Sequence, residues 1–467
     1  MKKLSIFILC LSILNNLLFY NQSPGINVIC FLIPFLYLAY TFLRKEKMIN
    51  NKKGLLFLIP IFLIGCSYFI YDNEFFTYFN FLIICILLLC TCVYTIRPTY
   101  HLGEMIGHFI SIIFDSLGKV SDFIDSFKED INSMIKMSDN NKRIFKSIII
   151  VIPILIIVLL LLSSADMIFG NIFKDVVKVF KHLSIGELVG RFIWIILLFG
   201  YVGSVFTYLL KDYRDAKIQA KPMKKIDSYT IKLLLISLNI IYLVFDFIQI
   251  RSLIFHHMSM DIPYSTYARQ GFFQLMGISV FNIIVILLTK KTDENKFIKI
   301  NSLLMVGLTF IIIVSSFLRM SMYEAAYGYT LLRLLVYVSL ITESIMLIPT
   351  IIYIIKNKFN IFRYYIIIIT CCYTLLSLFP VDYFIAKNNI NRYYKTDKID
   401  VDYLMNYSYD NYPLLDELSK KINIEDEEDK RLKDQIDDYL NSIEIKKDNF
   451  FEYNYSRSKV YDLKNKE

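Results

Sequence analysis

The residues of this chain best suited to chemistry are ionisable groups lying in or beside apolar runs. A charge in hydrocarbon costs about 2.5 to 3.5 kcal/mol even on the mildest insertion scale, so such groups are rare where they serve no purpose. Glu343 sits near the middle of the apolar stretch Leu331 to Ile355, between Thr342 and Ser344. A midplane carboxylate suits a proton or cation step; the structural alternative is a hydrogen-bonded glutamate facing a neighbouring helix. Asn239 and Asn282, on other apolar stretches, are candidate partners for it or plain helix-packing contacts. Asp246, inside the run Tyr229 to Ile250, is the second candidate intramembrane group.

A further set gathers towards one expected face of the membrane. Asp246, Gln249 and Arg251 close one apolar run, Arg269 precedes the next, and Arg319, Glu324 and Arg333 flank the following turn. Asp382, Lys387 and Arg392 come after the last run, and Asp166 and Arg191 fall on the same side. Convergent guanidinium groups clamp carboxylates or phosphates. The structural reading is a set of paired charges that fix helix ends and snorkel to the interface.

No metal or cofactor is expected. His256 and His257 are adjacent, and adjacent residues do not share a helix face. The eight cysteines all fall inside apolar runs, where they act as small hydrophobes, and neither Cys90 with Cys92 nor Cys371 with Cys372 has CxxC spacing. The chain has no HExxH, phosphate loop, dinucleotide glycine pattern or Gly-x-Ser-x-Gly elbow. Gly103 with Gly107 and Gly186 with Gly190 match GxxxG but lie off-centre.

The elements that must position these groups are helices. A hydrophobic content of 56%, 20% charged residues and a mean hydropathy of +0.49 exclude an ordinary soluble domain. About eleven apolar stretches reach spanning length, and helices are how such segments satisfy their backbone in lipid. They are Leu4–Tyr20, Ile26–Leu43, Gly54–Tyr71, Phe75–Ile96, Ile148–Leu162, Leu188–Leu210, Tyr229–Ile250, Gly271–Thr289, Ser302–Leu318, Leu331–Ile355 and Phe362–Pro380. The first reads as a spanning helix rather than a signal peptide: Asn15 and Asn16 interrupt it, and no small-x-small cleavage site follows.

Lysine and arginine concentrate in every second loop, which predicts a multi-pass cell-membrane protein with a cytoplasmic N-terminus and an extracytoplasmic C-terminus. The weak point is Ser163 to Glu187, whose three lysines face the expected outside. The net charge of +9 is thereby topological, and nucleic acid is not an expected partner. Between His101 and Met137 apolar residues recur at helical spacing, which predicts a long amphipathic cytoplasmic helix of mixed polar charge, packed on the membrane domain or on a partner protein. The tail shows a helical pattern at Leu432, Ile436, Leu440 and Ile443, and leaves Phe450 to Tyr461 open between strand and disorder. The expected organisation is an all-α polytopic protein: a four-helix segment over 1–96, an amphipathic region over 97–147, a seven-helix domain over 148–380 and a partly folded tail over 381–467.

Three ordered stretches carry a resemblance. They are Tyr264-Ser-Thr-Tyr267-Ala-Arg269-Gln270-Gly271-Phe-Phe273, Arg319-Met-Ser-Met-Tyr323-Glu324-Ala-Ala-Tyr327-Gly328-Tyr-Thr330-Leu-Leu-Arg333, and Pro380-Val-Asp382-Tyr-Phe-Ile-Ala-Lys-Asn-Asn389-Ile-Asn-Arg392. With Tyr403, Ser408, Asp410 and Pro413 they make residues Ile148 to Leu418 resemble the DUF4173 (DUF4153-related) family of bacterial integral membrane proteins of unknown function. The resemblance implies class, not chemistry. The motif residues nonetheless fall near the face that loop charge puts outside, which defines a candidate external polar cluster of Tyr267, Arg269, Arg319, Tyr323, Glu324, Arg333, Asp382, Asn389 and Arg392.

Three functions fit these features. The first is a sensing or scaffolding membrane component, with lipids around it, a protein docking at the amphipathic helix and a small polar or anionic ligand at the external cluster. The second is a secondary transporter using the midplane carboxylate. The third is a membrane-integral enzyme, for which spacing offers no positioned nucleophile or acid–base pair.

Overall fold

A computed structural model describes residues 4–98, 102–134, 185–213, 226–254, 271–289, 295–356, 359–405, 408–422 and 427–465, with a few isolated positions between them. Every regular element among the described residues is a helix. In chain order they are α1 (Leu4–Phe19), α2 (Ile26–Lys45), α3 (Leu58–Ile70), α4 (Glu74–Ile96), α5 (Leu102–Phe114), α6 (Val120–Met134), α7 (Ile185–Tyr208), α8 (Ser228–Ile254) and α9 (Phe272–Thr289). Then follow α10 (Lys296–Tyr327), α11 (Leu331–Ile355), α12 (Ile361–Ser377), α13 (Val381–Thr396), α14 (Val401–Met405), α15 (Tyr412–Lys421), α16 (Glu427–Ser442) and α17 (Tyr455–Lys464).

Seven helices among the described residues are long and apolar enough to cross a membrane, or eight when the bent pair α12–α13, with 63° between its halves, counts as one span. The chain is a multi-pass, all-helical membrane protein. Of the eleven expected stretches, those at α1 and α9 form shorter apolar helices. Ile148–Leu162 lies outside the described residues but for isolated positions.

The chain divides into two compact units. The first comprises 1–55, 89–98 and 106–218. In it α1 lies along α7, tied by Trp194 Nε1 to Asn15 Oδ1 at 2.9 Å, by Asn16 to the Arg191 carbonyl at 3.2 Å, and by Arg191 stacked 4.6 Å from the Tyr20 ring centre. The amphipathic region is two helices rather than one. A 3₁₀ stretch at Asp115–Lys119, holding the poor helix formers Ser116 and Gly118, separates α5 from α6. Its apolar face packs on α7, where Phe123 and Phe127 meet Phe199 at 4.9 and 5.0 Å between ring centres. Gly203 makes this fit: a Cβ there would lie 2.1 Å from the Phe123 ring.

The second unit comprises 56–88, 99–105 and 219–467. Its centre is α10, packed against α8, α9 and α11 around Leu235, Ile286, Met305, Ile312, Met320 and Leu340. Asparagine and threonine at the helix entrances satisfy otherwise orphaned amides: Asn295 accepts from Phe297, Thr330 from Arg333 and Asn360 from Arg363. The helices α13 to α17 form a C-terminal cap with its own core of Ile385, Leu404, Leu415, Ile436 and Val460, to which Phe76 of α4, Leu331 of α11 and Leu376 of α12 also belong. The stretch left open between strand and disorder contributes α17, started by Asn454 accepting from the Arg457 amide.

Candidate functional site

Polar residues fall at helical spacing on the inner faces of α8, α9, α10 and α11, which sets a polar lane inside an otherwise apolar bundle. On α8 they are Asn239, Tyr242, Asp246 and Gln249. Asn239 donates to the Asn301 carbonyl at 3.0 Å, and Tyr242 lies beside Asn282 of α9. Asn282 in turn donates to Thr309 of α10 at 3.0 Å. Gln249 accepts from Ser315 at 3.0 Å and from Arg319 Nη2 at 2.7 Å. Asp246 is 2% exposed, and neither of its carboxylate oxygens has a hydrogen-bond partner among the described residues.

Glu343 is buried on α11 and accepts from Ser279 of α9. The two asparagines weighed as its partners are engaged elsewhere, Asn239 with Asn301 and Asn282 with Thr309. Ser279 lies one helical turn from Asn282, on the same face of α9. That turn was the available sequence signal for it.

The external polar cluster resolves into three places, with Tyr267 and Arg269 outside the described residues. Arg319 belongs to the polar lane through Gln249. The second place is the turn at Gly328, whose φ of +81° ends α10. Arg392 donates to the Ala325 and Ala326 carbonyls at 3.3 and 2.6 Å and to the Lys398 carbonyl at 3.3 Å. The Ala325 and Ala326 carbonyls are last-turn acceptors of α10, so the guanidinium caps that helix and complements its dipole. Arg333 donates to the Gly328 carbonyl and stacks 4.2 Å from the Tyr323 ring centre, while Glu324 accepts from Tyr337 at 3.1 Å. Asn389 pairs with both the amide and the carbonyl of Tyr329, at 2.7 and 2.9 Å. Here the motif side chains grip backbone.

The third place is the foot of the cap. Asp382, at the start of α13, receives both bonds of the Asn73 amide at 2.9 and 2.7 Å and a bond from Ser408. Arg457 bridges Asp72 at 3.1 Å and Asp448 at 3.2 Å and donates to the Glu452 carbonyl at 2.6 Å. Asp410 accepts from Ser456 and from the Asp72 amide. Burial pushes the Asp410 carboxyl up to about 7, with nearby Asp382 adding to the rise and Ser456 opposing it. Burial also raises Asp72, against the pull of Arg457. Beside Asp410 opens a cavity of about 260 Å³ walled by Tyr71, Tyr383, Tyr409, Tyr455 and Lys459. Sequence reasoning missed Asp72, Asn73 and Arg457; the acidic, lysine-free loop between α3 and α4 was the only sign of the first two. Among the described residues no group of three or more histidines, cysteines or carboxylates is placed to hold a metal.

A match to a domain of unknown function, DUF4153, runs over residues 58–418. The chain belongs to the DUF4153 family. No curated protein and no solved structure matches it significantly. The family region begins at α3, well before the Ile148 start of the motif resemblance, and ends inside α15. That extent agrees with Asn73 being the partner of the family-motif residue Asp382.

Proposed function

We propose that this DUF4153 protein is a sensing or scaffolding component of the cell membrane, with eleven crossings, a cytoplasmic N-terminus and an external cap that binds a small polar ligand. The observation that supports this most is the cavity at the foot of the cap. Tyr71 follows α3, Tyr383 is on α13, and Tyr455 and Lys459 are on α17, so an occupant touches three elements at once. Ligand-dependent docking of those elements is how occupancy would reach the helices. The Lys459 ammonium and the tyrosine hydroxyls suit a carboxylated or phosphorylated molecule. On the cytoplasmic side of the proposed topology, Ile106, Ile110, Phe114 and Leu117 form an exposed apolar stripe suited to lipid or a protein partner.

The test is a thermal-shift screen of the full chain in mild detergent against carboxylated, phosphorylated and zwitterionic small molecules, comparing wild type with Lys459→Ala and Tyr455→Ala. Stabilisation of wild type that both variants lose supports a ligand-sensing cap. Stabilisation that survives in both, or its complete absence in wild type, removes the cavity from the reading.

A further inference from the structure

We propose that Glu343 and Asp246 are proton-binding carboxylates of the α8–α11 bundle, joined by a relay of Tyr242, Asn282 and Ser279. The inference is independent of the sensing reading, because it concerns different residues and a different ligand.

The relay follows from one contact and the order of residues along two helices. Glu343 accepts from Ser279, Asn282 lies one turn further along α9 with its side-chain oxygen unpartnered among the described residues, Tyr242 lies beside Asn282, and Asp246 lies one turn beyond Tyr242 on α8. Each gap along a helix is one turn, about 5.4 Å, which a side-chain rotation or a single water spans. Proton relays through membranes use such chains of carboxyl, hydroxyl and amide groups.

Two features set these carboxylates apart from structural polar groups. A buried polar group that serves packing is ordinarily hydrogen-bonded. Asp246 is 2% exposed and Glu343 7% exposed, yet among the described residues the first has no partner and the second a single hydroxyl. The same sparse surroundings select the ligand. A metal cation needs several oxygen ligands at once, an anion needs donors, and a proton needs one oxygen.

The ionisable groups brought nearest by the packed helices are otherwise engaged. Arg319 of α10 donates to Gln249, one turn from Asp246, and Tyr365 of α12 bonds Thr350, two turns from Glu343. Glu324 of α10 is held by Tyr337 of α11, and Arg333 is held by the Gly328 carbonyl. Among the described residues no cation is paired with Asp246 or Glu343 to fix its charge.

The experiment is an infrared titration of the full chain in liposomes, with wild type, Glu343→Gln and Asp246→Asn. The expected result is two protonated-carboxyl bands that disappear as pH rises from about 5 to about 9, with one of them missing in each variant. Bands that stay constant across that range in folded wild type, or that persist unchanged in the variants, overturn the proposal. Should a variant not fold, dicyclohexylcarbodiimide, which attacks protonated carboxyls in apolar surroundings, decides on wild type alone. Labelling of Glu343 at low pH and its loss at high pH support the assignment, and no labelling at either pH overturns it.

Discussion

Asp382 at the foot of the cap and Asp246 inside the bundle are equally deep, and the surroundings of the two sets of carboxylates are opposite. Asp382 and Asp246 are each 2% exposed. Asp382 receives two bonds from Asn73 and one from Ser408, Asp72 has Arg457, and Asp410 has Ser456 and a backbone amide. Glu343 has one serine hydroxyl, and Asp246 has no partner among the described residues. Depth of burial therefore does not separate a structural carboxylate from a working one; the supply of donors does. A satisfied carboxylate locks two elements in register, as Asn73 and Asp382 lock the start of α4 to the start of α13. An unsatisfied one destabilises the fold, so a role other than packing accounts for it.

The contrast breaks most visibly at Arg457. Its side chain is 11% exposed and pairs with two half-buried aspartates, Asp72 and Asp448, whose side chains are 25% and 13% exposed. Arg457→Ala removes the cation paired with both and is expected to cost about 2 to 3 kcal/mol, read as a loss of thermal stability in detergent and as early proteolysis of the cap. If Arg457→Ala melts like wild type, the foot of the cap is not held by charge pairing and the comparison loses one side.

Next in size is the pH response of the cap. The Asp410 carboxyl stands at about 7 in the folded protein against 3.8 in an unfolded chain. Below 3.8 both states hold the proton and the stabilising contribution is complete; it is lost as pH rises towards 7, because the unfolded chain releases the proton first. The cap is therefore expected to melt higher at pH 5 than at pH 8, by up to a few kcal/mol. Asp410→Asn keeps an acceptor for the Asp72 amide and should flatten that dependence. An unchanged slope in the variant would assign the titration to another group.

The turn at Gly328 gives a smaller effect. Arg392→Ala removes the cap on the end of α10 and is expected to cost about 1 to 2 kcal/mol, with faster amide exchange in the last turn of that helix. Gly328→Ala should cost a similar amount, because φ is +81° there and the new methyl would meet the Asn389 amide oxygen at 2.5 Å. Exchange rates unchanged in both variants would mean that the motif arginine does not cap the helix.

How much of this was legible from sequence depends on the range of the contact. Apolar runs encode the helices locally, and α8, α10 and α11 were all found from them. The break at Asp115–Lys119 follows a weaker local signal, Gly118 and Ser116 inside an otherwise helical pattern. Glu343 stood out because a carboxylate in an apolar run is costly, whereas its partner Ser279 is an ordinary serine until folding brings it across from α9. Arg392 was legible as a motif residue, but its targets are backbone carbonyls 66 and 67 positions away, which no side-chain pattern marks. Arg457 meets Asp72 across 385 positions and lies beyond the family region, so nothing local pointed to it.

The smallest expected effect is the sharpest for the comparison. Asp246→Asn and Glu343→Gln keep size and hydrogen-bonding capacity and remove only the ability to ionise. Among the described residues Asp246 has no partner to lose, and the amide carbonyl introduced by Glu343→Gln can still accept from Ser279, while each change removes a charge that is costly in the bundle, so stability should change by less than about 1 kcal/mol, or rise. Asp382→Asn, at the same depth, is expected to do worse, since the substituted amide nitrogen sets donor against donor with Asn73 Nδ2. Melting of the three variants side by side measures the difference between the two regions directly. If Asp246→Asn destabilises as much as Asp382→Asn, Asp246 is structural, and the bundle and the cap obey one rule.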